Sequence, residues 1–211
     1  MKALVDAAKG ARAAYVLAHG AGAGMRHPFM EAFARGLAAR GIAVLRYEFA
    51  YMEQGSKRPD PPKAAQARVR EAVDEAAKAF PGLPLFAGGK SFGGRMTSQA
   101  QAAAPLPGVR GLAFLGFPLH ATGKPSNERA AHLAHVEVPM LFLQGTRDTL
   151  AELSLLRPVI EGLGPRATLV TFDDADHSFH VPARTGRTDG EVREEMLETF
   201  SRWADRCLVG R

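Results

Sequence analysis

The chain has 211 residues, of which 46% are hydrophobic and 23% are charged, and its formal net charge at pH 7 is +5. This length suits one domain with a substantial core, and the composition is that of an ordinary globular protein. The basic residues are scattered without a run of five or six like charges, which indicates a solvated surface and no nucleic-acid partner. No stretch approaches the roughly 18 apolar residues that span a bilayer, so we expect no membrane segment.

The cellular compartment is predicted from the N-terminus and from cysteine usage. The first six residues, Met1 to Asp6, contain an early acid and no long apolar core, which is unlike a secretory signal. Cys207 is the single cysteine, so an internal disulfide is impossible and a reducing compartment is expected. We therefore expect a cytoplasmic protein.

Short apolar runs alternate with helical segments along the chain, a pattern typical of a parallel sheet with crossover helices. The runs are bounded by glycine or proline, as expected for strands that are buried on both faces. The predicted strands are Ala13–Ala18, Ile42–Tyr47, 84–87, 111–115, 140–143 and Ala167–Phe172. Residues 1–7 are predicted to add an antiparallel edge strand.

Helices are predicted between these strands. One begins at Pro28, and the next follows Asp60, which we interpret as an acidic cap. A third follows Ser91, and the last begins at about Gly190. Pro158 predicts a short or kinked helix between the last two strands. The whole chain, residues 1–211, is therefore predicted to be a single α/β domain with a mostly parallel twisted sheet of about six or seven strands.

The segment Gly89-Lys90-Ser91-Phe92-Gly93 fits the motif G-x-S-x-G, between a predicted strand and a predicted helix. A serine at such a sharp turn is held in strained backbone geometry, with its hydroxyl exposed above the end of the sheet. The motif alone is a moderate signal in a chain with 22 glycines. Ser91 is also a residue type that caps helices, and this alternative stays open from the motif alone.

A serine nucleophile needs a base and a group that orients the base, and in this kind of fold the chain order is Ser, then Asp or Glu, then His. Asp148 follows the predicted strand 140–143, and His177 follows the strand that ends at Phe172. We therefore predict that Ser91, Asp148 and His177 form a catalytic triad. His180 is the competing histidine, and the acids that adjoin His177 compete less well with Asp148: Asp173, Asp174 and Asp176.

Two backbone amides are predicted to bind the oxyanion. The amide of Phe92 follows the nucleophile at a helix N-terminus, and a small-residue loop follows the strand Ala13–Ala18. Ala21 in this loop is predicted to supply the second amide, with Gly22 as the alternative. If the strands at Ile42 and at residue 84 flank the strand at Ala13, the sheet order reverses there, and ligands bind at such a point.

Other motifs do not predict cofactors. Gly89-Lys90-Ser91 resembles the end of a phosphate-binding loop, but Pro84 stands where that motif requires glycine. The pairs His132/His135 and His177/His180 have no spacing that is typical of metal sites. We expect no metal and no cofactor, and a small-molecule acyl substrate as a partner.

As a set, these motifs resemble the α/β-hydrolase superfamily, and more narrowly its small dienelactone-hydrolase-like branch with the testis-expressed α/β-hydrolase-like proteins. The resemblance covers nearly the whole chain. It is carried by residues 17–22 (LAHGAG), 27–30 (HPFM), 88–96 (GGKSFGGRM), 144–148 (QGTRD) and 175–179 (ADHSF). It implies an α/β-hydrolase fold with a Ser-His-Asp triad, and it does not specify a substrate.

Two departures from the family pattern modify what the resemblance implies. Dienelactone hydrolases carry a cysteine nucleophile where this chain has Ser91, so lactone specificity does not carry over. Many members also insert a lid after the strand that corresponds to residues 111–115, and here the connection is too short for one. The resemblance therefore implies an open site for small acyl groups, which Phe117, Phe179 and Tyr47 are expected to border.

The leading hypothesis is a serine hydrolase of the esterase or thioesterase type. The alternatives are a binding or scaffolding module on a hydrolase fold, and a peptidase or amidase that uses the same triad. Lys90, Arg46 and Arg95 stand near the motifs, where they would either favour an anionic substrate or have structural roles.

Overall fold

The computed structural model describes residues 1–209, which form one seven-stranded sheet with helices on both faces. The strands are β1 (Ala3–Asp6), β2 (Ala13–Ala18), β3 (Ile42–Tyr47), β4 (Leu85–Lys90), β5 (Val109–Leu115), β6 (Met140–Gly145) and β7 (Ala167–Phe172). They lie in the order β1-β3-β2-β4-β5-β6-β7, and every pair is parallel except β1 with β3. The predicted sheet, its antiparallel edge strand and the reversal of strand order at β2 are confirmed.

The helices of the described residues are α1 (Pro28–Ala39), α2 (Ala50–Glu53), α3 (Pro62–Ala79), α4 (Phe92–Ala103), α5 (Leu153–Leu163) and α6 (Asp189–Val209). α1 and α6 cover one face of the sheet, and α3, α4 and α5 cover the other. Between β5 and β6 the regular structure is a short 3₁₀ segment, Glu128–His135, so the predicted absence of a lid is confirmed. Within residues 1–209, no helix combines the length and the apolar character that crossing a bilayer requires.

The strands read as continuous apolar runs because both faces of the sheet are covered. Side chains alternate between the two faces of a strand. Accordingly, Val16 of β2 packs in the core beneath α3, α4 and α5, while Tyr15 and Leu17 pack beneath α1 and α6. A polar residue at any of these positions would bury an unpaired polar group, so the pattern of β2 specifies a central strand.

The predicted end of the fourth strand at residue 87 is wrong, because β4 continues through Gly88 and Gly89 to Lys90. A Cβ atom on Gly88 would lie 1.9 Å from the carbonyl oxygen of Ala113, and one on Gly89 would lie 2.2 Å from that of Ala18. The two glycines are thus required by the close approach of β5 and β2. A glycine pair that looks like a turn in sequence is part of a central strand.

The predicted cap of α3 is wrong, and the shortening that was one of the two predicted effects of Pro158 does not occur. Asp60 does not cap α3, since its carboxylate accepts a hydrogen bond from the Tyr51 amide at 3.2 Å and no side chain caps that helix. α5 is not shortened by Pro158, which lies inside an 11-residue helix. Proline removes one backbone donor but leaves the other turns of the helix to form.

We expect Gly93→Ala to destabilise the protein by about 2 kcal/mol, within the usual range for overpacking. The added methyl would lie 2.5 Å from the carbonyl oxygen of His19 and 2.7 Å from the Cβ of Ala18, which forces α4 away from β2. Urea unfolding measures the free energy. The matched control is Gly162→Ala in α5, where the added methyl would contact no atom outside the adjoining helix backbone within 4 Å. There alanine should raise the free energy of unfolding by about 0.5 kcal/mol. Equal effects of the two substitutions would contradict this account of the packing.

Candidate active site

Ser91 occupies the turn between β4 and α4. Its backbone has φ 49° and ψ −115°, and this positive φ is unfavourable for residues other than glycine. Ser91 stands at the N-cap position of α4, yet its hydroxyl makes no capping hydrogen bond. Instead, the hydroxyl lies 2.9 Å from Nε2 of His177. The backbone strain therefore directs the hydroxyl away from the helix and toward the imidazole.

His177 and Asp148 extend this contact into a chain of hydrogen bonds. Nδ1 of His177 lies 2.6 Å from a carboxylate oxygen of Asp148. Because the carboxylate only accepts hydrogen bonds, Nδ1–H donates to Asp148 and Nε2 is left to accept the Ser91 proton. The Asp148 side chain is fully buried, whereas the His177 side chain is 23% exposed. The structure thus brings the three predicted triad residues together, with the imidazole open to a substrate.

The Asp148 carboxylate is held by two further donors. The Leu150 amide donates to Oδ1 at 2.8 Å, and the side-chain amide of Gln144 donates to Oδ2, the same oxygen that contacts His177. Gln144 is itself held, because its oxygen accepts from the Phe117 amide at 2.9 Å. Together these donors fix the orientation of the carboxylate. Gln144 was not predicted as a functional residue, although it directly precedes the turn that carries Asp148.

The loop that carries His177 is closed by Asp176. The Asp176 carboxylate accepts from the amides of Ser178 at 2.7 Å and His180 at 3.0 Å. Lys90, the residue before Ser91, donates from its ammonium to the carbonyl oxygen of His177. Such outer contacts hold a catalytic side chain in position.

The competing histidines have other partners. His180 is 62% exposed and pairs with Asp189 at 3.0 Å, and this ion pair raises the pKa of His180. His19 is buried, its Nδ1 lies 2.8 Å from the Gly20 carbonyl oxygen, and its Nε2 accepts from the Phe49 amide at 3.1 Å. Burial lowers the pKa of His19, so the ring is a neutral brace for the loop after β2.

A second serine–histidine contact joins Ser98 of α4 to His132, with 2.7 Å between Oγ and Nε2. Ser98 is fully buried, and its hydroxyl also contacts the Arg95 carbonyl oxygen at 2.9 Å. No carboxylate of residues 1–209 pairs with His132, and burial together with the charge of Arg95 lowers its pKa to about 4. A weak base beside an inaccessible hydroxyl serves packing, not nucleophilic attack.

Ala21 and Phe92, the two predicted oxyanion donors, both line a cleft that also contains Ser91. The Phe92 amide is at the first position of α4, where an amide has no acceptor within the helix. Gly22, the alternative to Ala21, donates its amide to the Tyr51 hydroxyl at 3.2 Å. The Ala21 amide donates to no protein acceptor in the described part of the chain. The geometry therefore favours Ala21 over Gly22 as the second donor.

Ser91 lies where two clefts meet, and Ala21 and Leu150 line both. The first cleft, of about 350 Å³, contains His177 together with Phe29 and Met30 of α1. The second cleft, also of about 350 Å³, extends along α4 on the opposite side of Ser91. We define them here as the histidine cleft and the arginine cleft, the latter because Arg95 and Arg129 line it.

The prediction of the bordering aromatic residues is wrong. Tyr47, Phe117 and Phe179 are buried in the core, with at most 2% of their surface exposed. Phe29, which borders the histidine cleft, stacks on Phe179 with 5.9 Å between the ring centroids. An aromatic residue in the core and one that borders a cleft have the same local sequence pattern. Only the packing of the folded chain distinguishes Phe179 from Phe29.

Two of the three basic residues near the motifs are fully engaged. Arg46 forms a two-point contact with Asp6 of β1, at 2.8 and 3.0 Å, and also donates to the Met25 carbonyl oxygen. Lys90 donates to His177 and lies 5.3 Å from the centre of the Phe179 ring. Burial lowers the pKa of Lys90 to about 8, although the Asp148 and Asp176 carboxylates favour its charged form. Both residues have structural roles.

Comparisons with known proteins identify the family of the chain and the solved structures that share its fold. The sequence profile of the alpha/beta hydrolase domain matches residues 11–205. Among solved structures, a serine hydrolase without a lid from Xanthomonas campestris is similar with a TM-score of 0.75, at 22% identity, over 95% of this chain and 88% of that chain. A dienelactone hydrolase from Anabaena variabilis gives a TM-score of 0.77 at 22% identity, over 95% and 89% of the two chains.

A serine hydrolase homologue from Coxiella burnetii gives a TM-score of 0.76 at 18% identity, over 93% of this chain and 90% of that chain. At these identities the solved structures show a shared fold and leave the substrate open. The family profile covers most of the chain, in agreement with the resemblance found in the motifs. The protein belongs to the α/β-hydrolase family.

Proposed function

We propose that this protein is a serine hydrolase that cleaves small carboxylic esters or thioesters. The observation that supports the proposal is the chain of contacts from Ser91 Oγ to His177 Nε2 at 2.9 Å, and from His177 Nδ1 to Asp148 at 2.6 Å. These contacts lie where two clefts meet, beside two backbone amides that have no protein acceptor among residues 1–209. A nucleophile, a base, an orienting acid and an oxyanion site are the parts that acyl transfer requires.

In the proposed mechanism, Ser91 Oγ attacks the carbonyl carbon while Nε2 of His177 takes the hydroxyl proton. The amides of Phe92 and Ala21 stabilise the negative charge that develops on the carbonyl oxygen. Asp148 keeps the proton on Nδ1 and stabilises the imidazolium. The imidazolium then donates its Nε2 proton to the leaving alcohol or thiol. Water, activated by the same nitrogen, releases the acid and restores Ser91.

The clefts bear on the size of the substrate. Each has a volume of about 350 Å³, near the lower end of the range for small-molecule sites. The short connection between β5 and β6 leaves no lid to bury a long acyl chain. We therefore propose short acyl groups. An amide substrate would use the same groups, and the leaving-group chemistry would decide between the two classes.

Labelling with a fluorophosphonate tests the proposal, because the probe reacts with an activated serine and releases fluoride. We expect the parent protein to be labelled at Ser91, as located by peptide mass spectrometry, and the Ser91→Ala protein to remain unlabelled. The matched control is Ser98→Ala, which removes the other serine with a histidine partner on α4 and should leave labelling unchanged.

Folded parent protein that takes no label would favour the alternative of a non-catalytic binding module. Labelling that disappears in Ser98→Ala and persists in Ser91→Ala would also contradict the proposal. A panel of short-chain esters, thioesters and amides with the same acyl group, assayed with the parent protein, then selects among esterase, thioesterase and amidase activity.

A further inference from the structure

Arg95 and Arg129 line the arginine cleft, and neither is neutralised by a carboxylate of the described residues. No acid of residues 1–209 lies within 4.0 Å of either guanidinium, whereas Arg46 is paired with Asp6. No aspartate or glutamate lines this cleft. Glu152, which lies close to it, is bonded to His120. The cleft is therefore a partly enclosed space with an uncompensated positive charge.

Arg95 is not an ordinary surface arginine. It is partly buried on the first turn of α4, and its Nε is buried with no protein hydrogen-bond partner among residues 1–209. Its guanidinium carbon lies 5.9 Å from the centre of the Phe92 ring, which orients the group beside the nucleophile. Burial and the like charge of Arg129 both lower the pKa of Arg95. An unpaired buried donor and two adjacent like charges are unfavourable, and a bound anion would relieve both costs.

The position of the histidine shows which part of a substrate enters the arginine cleft. His177 must donate a proton to the leaving group, so the leaving group faces the histidine cleft. His177 does not line the arginine cleft, which shares Ser91 and Ala21 with the histidine cleft. The acyl part of the substrate, which stays on Ser91, is therefore the part that reaches Arg95 and Arg129.

Resting on the proposed function, we infer that the substrate is an ester or thioester whose acyl group carries a second carboxylate, and that Arg95 and Arg129 bind this carboxylate. The planar guanidinium matches a carboxylate in two-point geometry. Arg95 lies one helical turn from Ser91, with its amide bonded to the Ser91 carbonyl oxygen at 3.1 Å. This short separation fits acyl groups of about four or five carbons, such as succinyl or glutaryl, since residues four apart on a helix are about 5 to 6 Å apart.

The test compares two ethyl esters that differ in one charge. Ethyl hydrogen glutarate carries the second carboxylate, and ethyl pentanoate is the neutral ester of the same chain length. Hydrolysis is followed in a pH-stat, and we expect kcat/KM to be higher for the glutarate ester by about 10- to 100-fold, the usual range for a charge-assisted hydrogen bond. Arg95→Met should abolish the preference, so that the ratio of kcat/KM for the glutarate ester to kcat/KM for the pentanoate ester falls to about one.

Arg110→Met is the matched control, because it removes the same charge from β5 and Arg110 does not line the arginine cleft. It should keep the preference. Carboxymethyl butyrate, which carries its carboxylate on the leaving alcohol, tests which part of the substrate enters the arginine cleft. Its kcat/KM should be no higher than that of the neutral pentanoate ester. Equal kcat/KM for the glutarate and pentanoate esters, or a preference that survives Arg95→Met, would overturn the inference while the proposed hydrolase function stands.

Binding provides a readout that does not depend on turnover. Ethyl hydrogen glutarate is titrated calorimetrically into the Ser91→Ala protein and into the Ser91→Ala/Arg95→Met protein. We expect a Kd at least about 10-fold weaker in the double variant. Unchanged affinity, or a glutarate ester that binds no better than ethyl pentanoate, would refute the anionic subsite even if the protein hydrolysed neither ester. Loss of fluorophosphonate labelling in the parent protein would instead refute the proposed function.

Discussion

Ser91→Ala is expected to lower kcat for a short ester by a factor on the order of 10³ or more while the protein stays folded. The substitution removes the nucleophilic oxygen that lies 2.9 Å from His177 Nε2 and leaves the two backbone amides in place. Any residual rate should come from binding and from the oxyanion site alone. Steady-state hydrolysis of p-nitrophenyl butyrate measures the loss, and circular dichroism checks the fold.

The backbone at position 91 offers a second variant that separates strain from chemistry. Ser91→Gly removes the same oxygen but relaxes the positive φ of 49°, which alanine does not. We expect the glycine protein to be more stable than the alanine protein by about 1 kcal/mol, with equally low activity. Turnover that matches the parent in either variant would eliminate Ser91 as the nucleophile.

Asp148→Asn is expected to lower kcat by about 10³- to 10⁴-fold, with little change in the shape of the site. The carboxylate now accepts from three donors: the Leu150 amide, the Gln144 amide and Nδ1 of His177. An asparagine has only one acceptor oxygen. If that oxygen stays on the Leu150 amide, its NH₂ group faces both Gln144 and His177.

The imidazole must then carry its proton on Nε2, where it is unable to take the proton of Ser91. If the side-chain amide of the asparagine is flipped, its NH₂ group faces the Leu150 N–H. Two donors then meet at a fully buried position, which lowers the free energy of unfolding. Kinetics with p-nitrophenyl butyrate and urea unfolding distinguish the two orientations. Asp173→Asn is the matched control, since Asp173 is exposed and adjoins the loop that carries His177. A large loss in that control with full activity in Asp148→Asn would reassign the acid.

Much of the fold was predictable because it depends on local pattern. Apolar runs between glycine and proline marked six strands, and residues 1–7 were predicted separately as the edge strand. The helix starts at Pro28 and after Ser91 agree with the structure. The order Ser91, Asp148, His177 places each residue beyond the carboxyl end of a parallel strand. Parallel strands point the same way, so these positions meet at one edge of the sheet.

Details that depend on contacts between distant segments were not predictable. Gly88 and Gly89 look like a turn but allow β4 to lie between β2 and β5. Tyr47 and Phe179 are core residues, and Phe29 borders the cleft. The local sequence does not distinguish these aromatic residues, because the burial of each is decided by the helices and loops that pack against it.

The pairing of charges distinguishes most clearly what the local sequence predicts from what only the folded structure shows. Local pattern was sufficient to place Arg46, Lys90 and Arg95 near the motifs, since each adjoins the end of a strand or the start of a helix. Which of them has a partner depends on groups that are far away along the chain: the Asp6 carboxylate pairs with Arg46, and the His177 carbonyl oxygen accepts a hydrogen bond from Lys90. Charge balance is a property of three-dimensional proximity, and only the folded chain shows Arg95 beside Arg129 with no acid of the described residues paired to either.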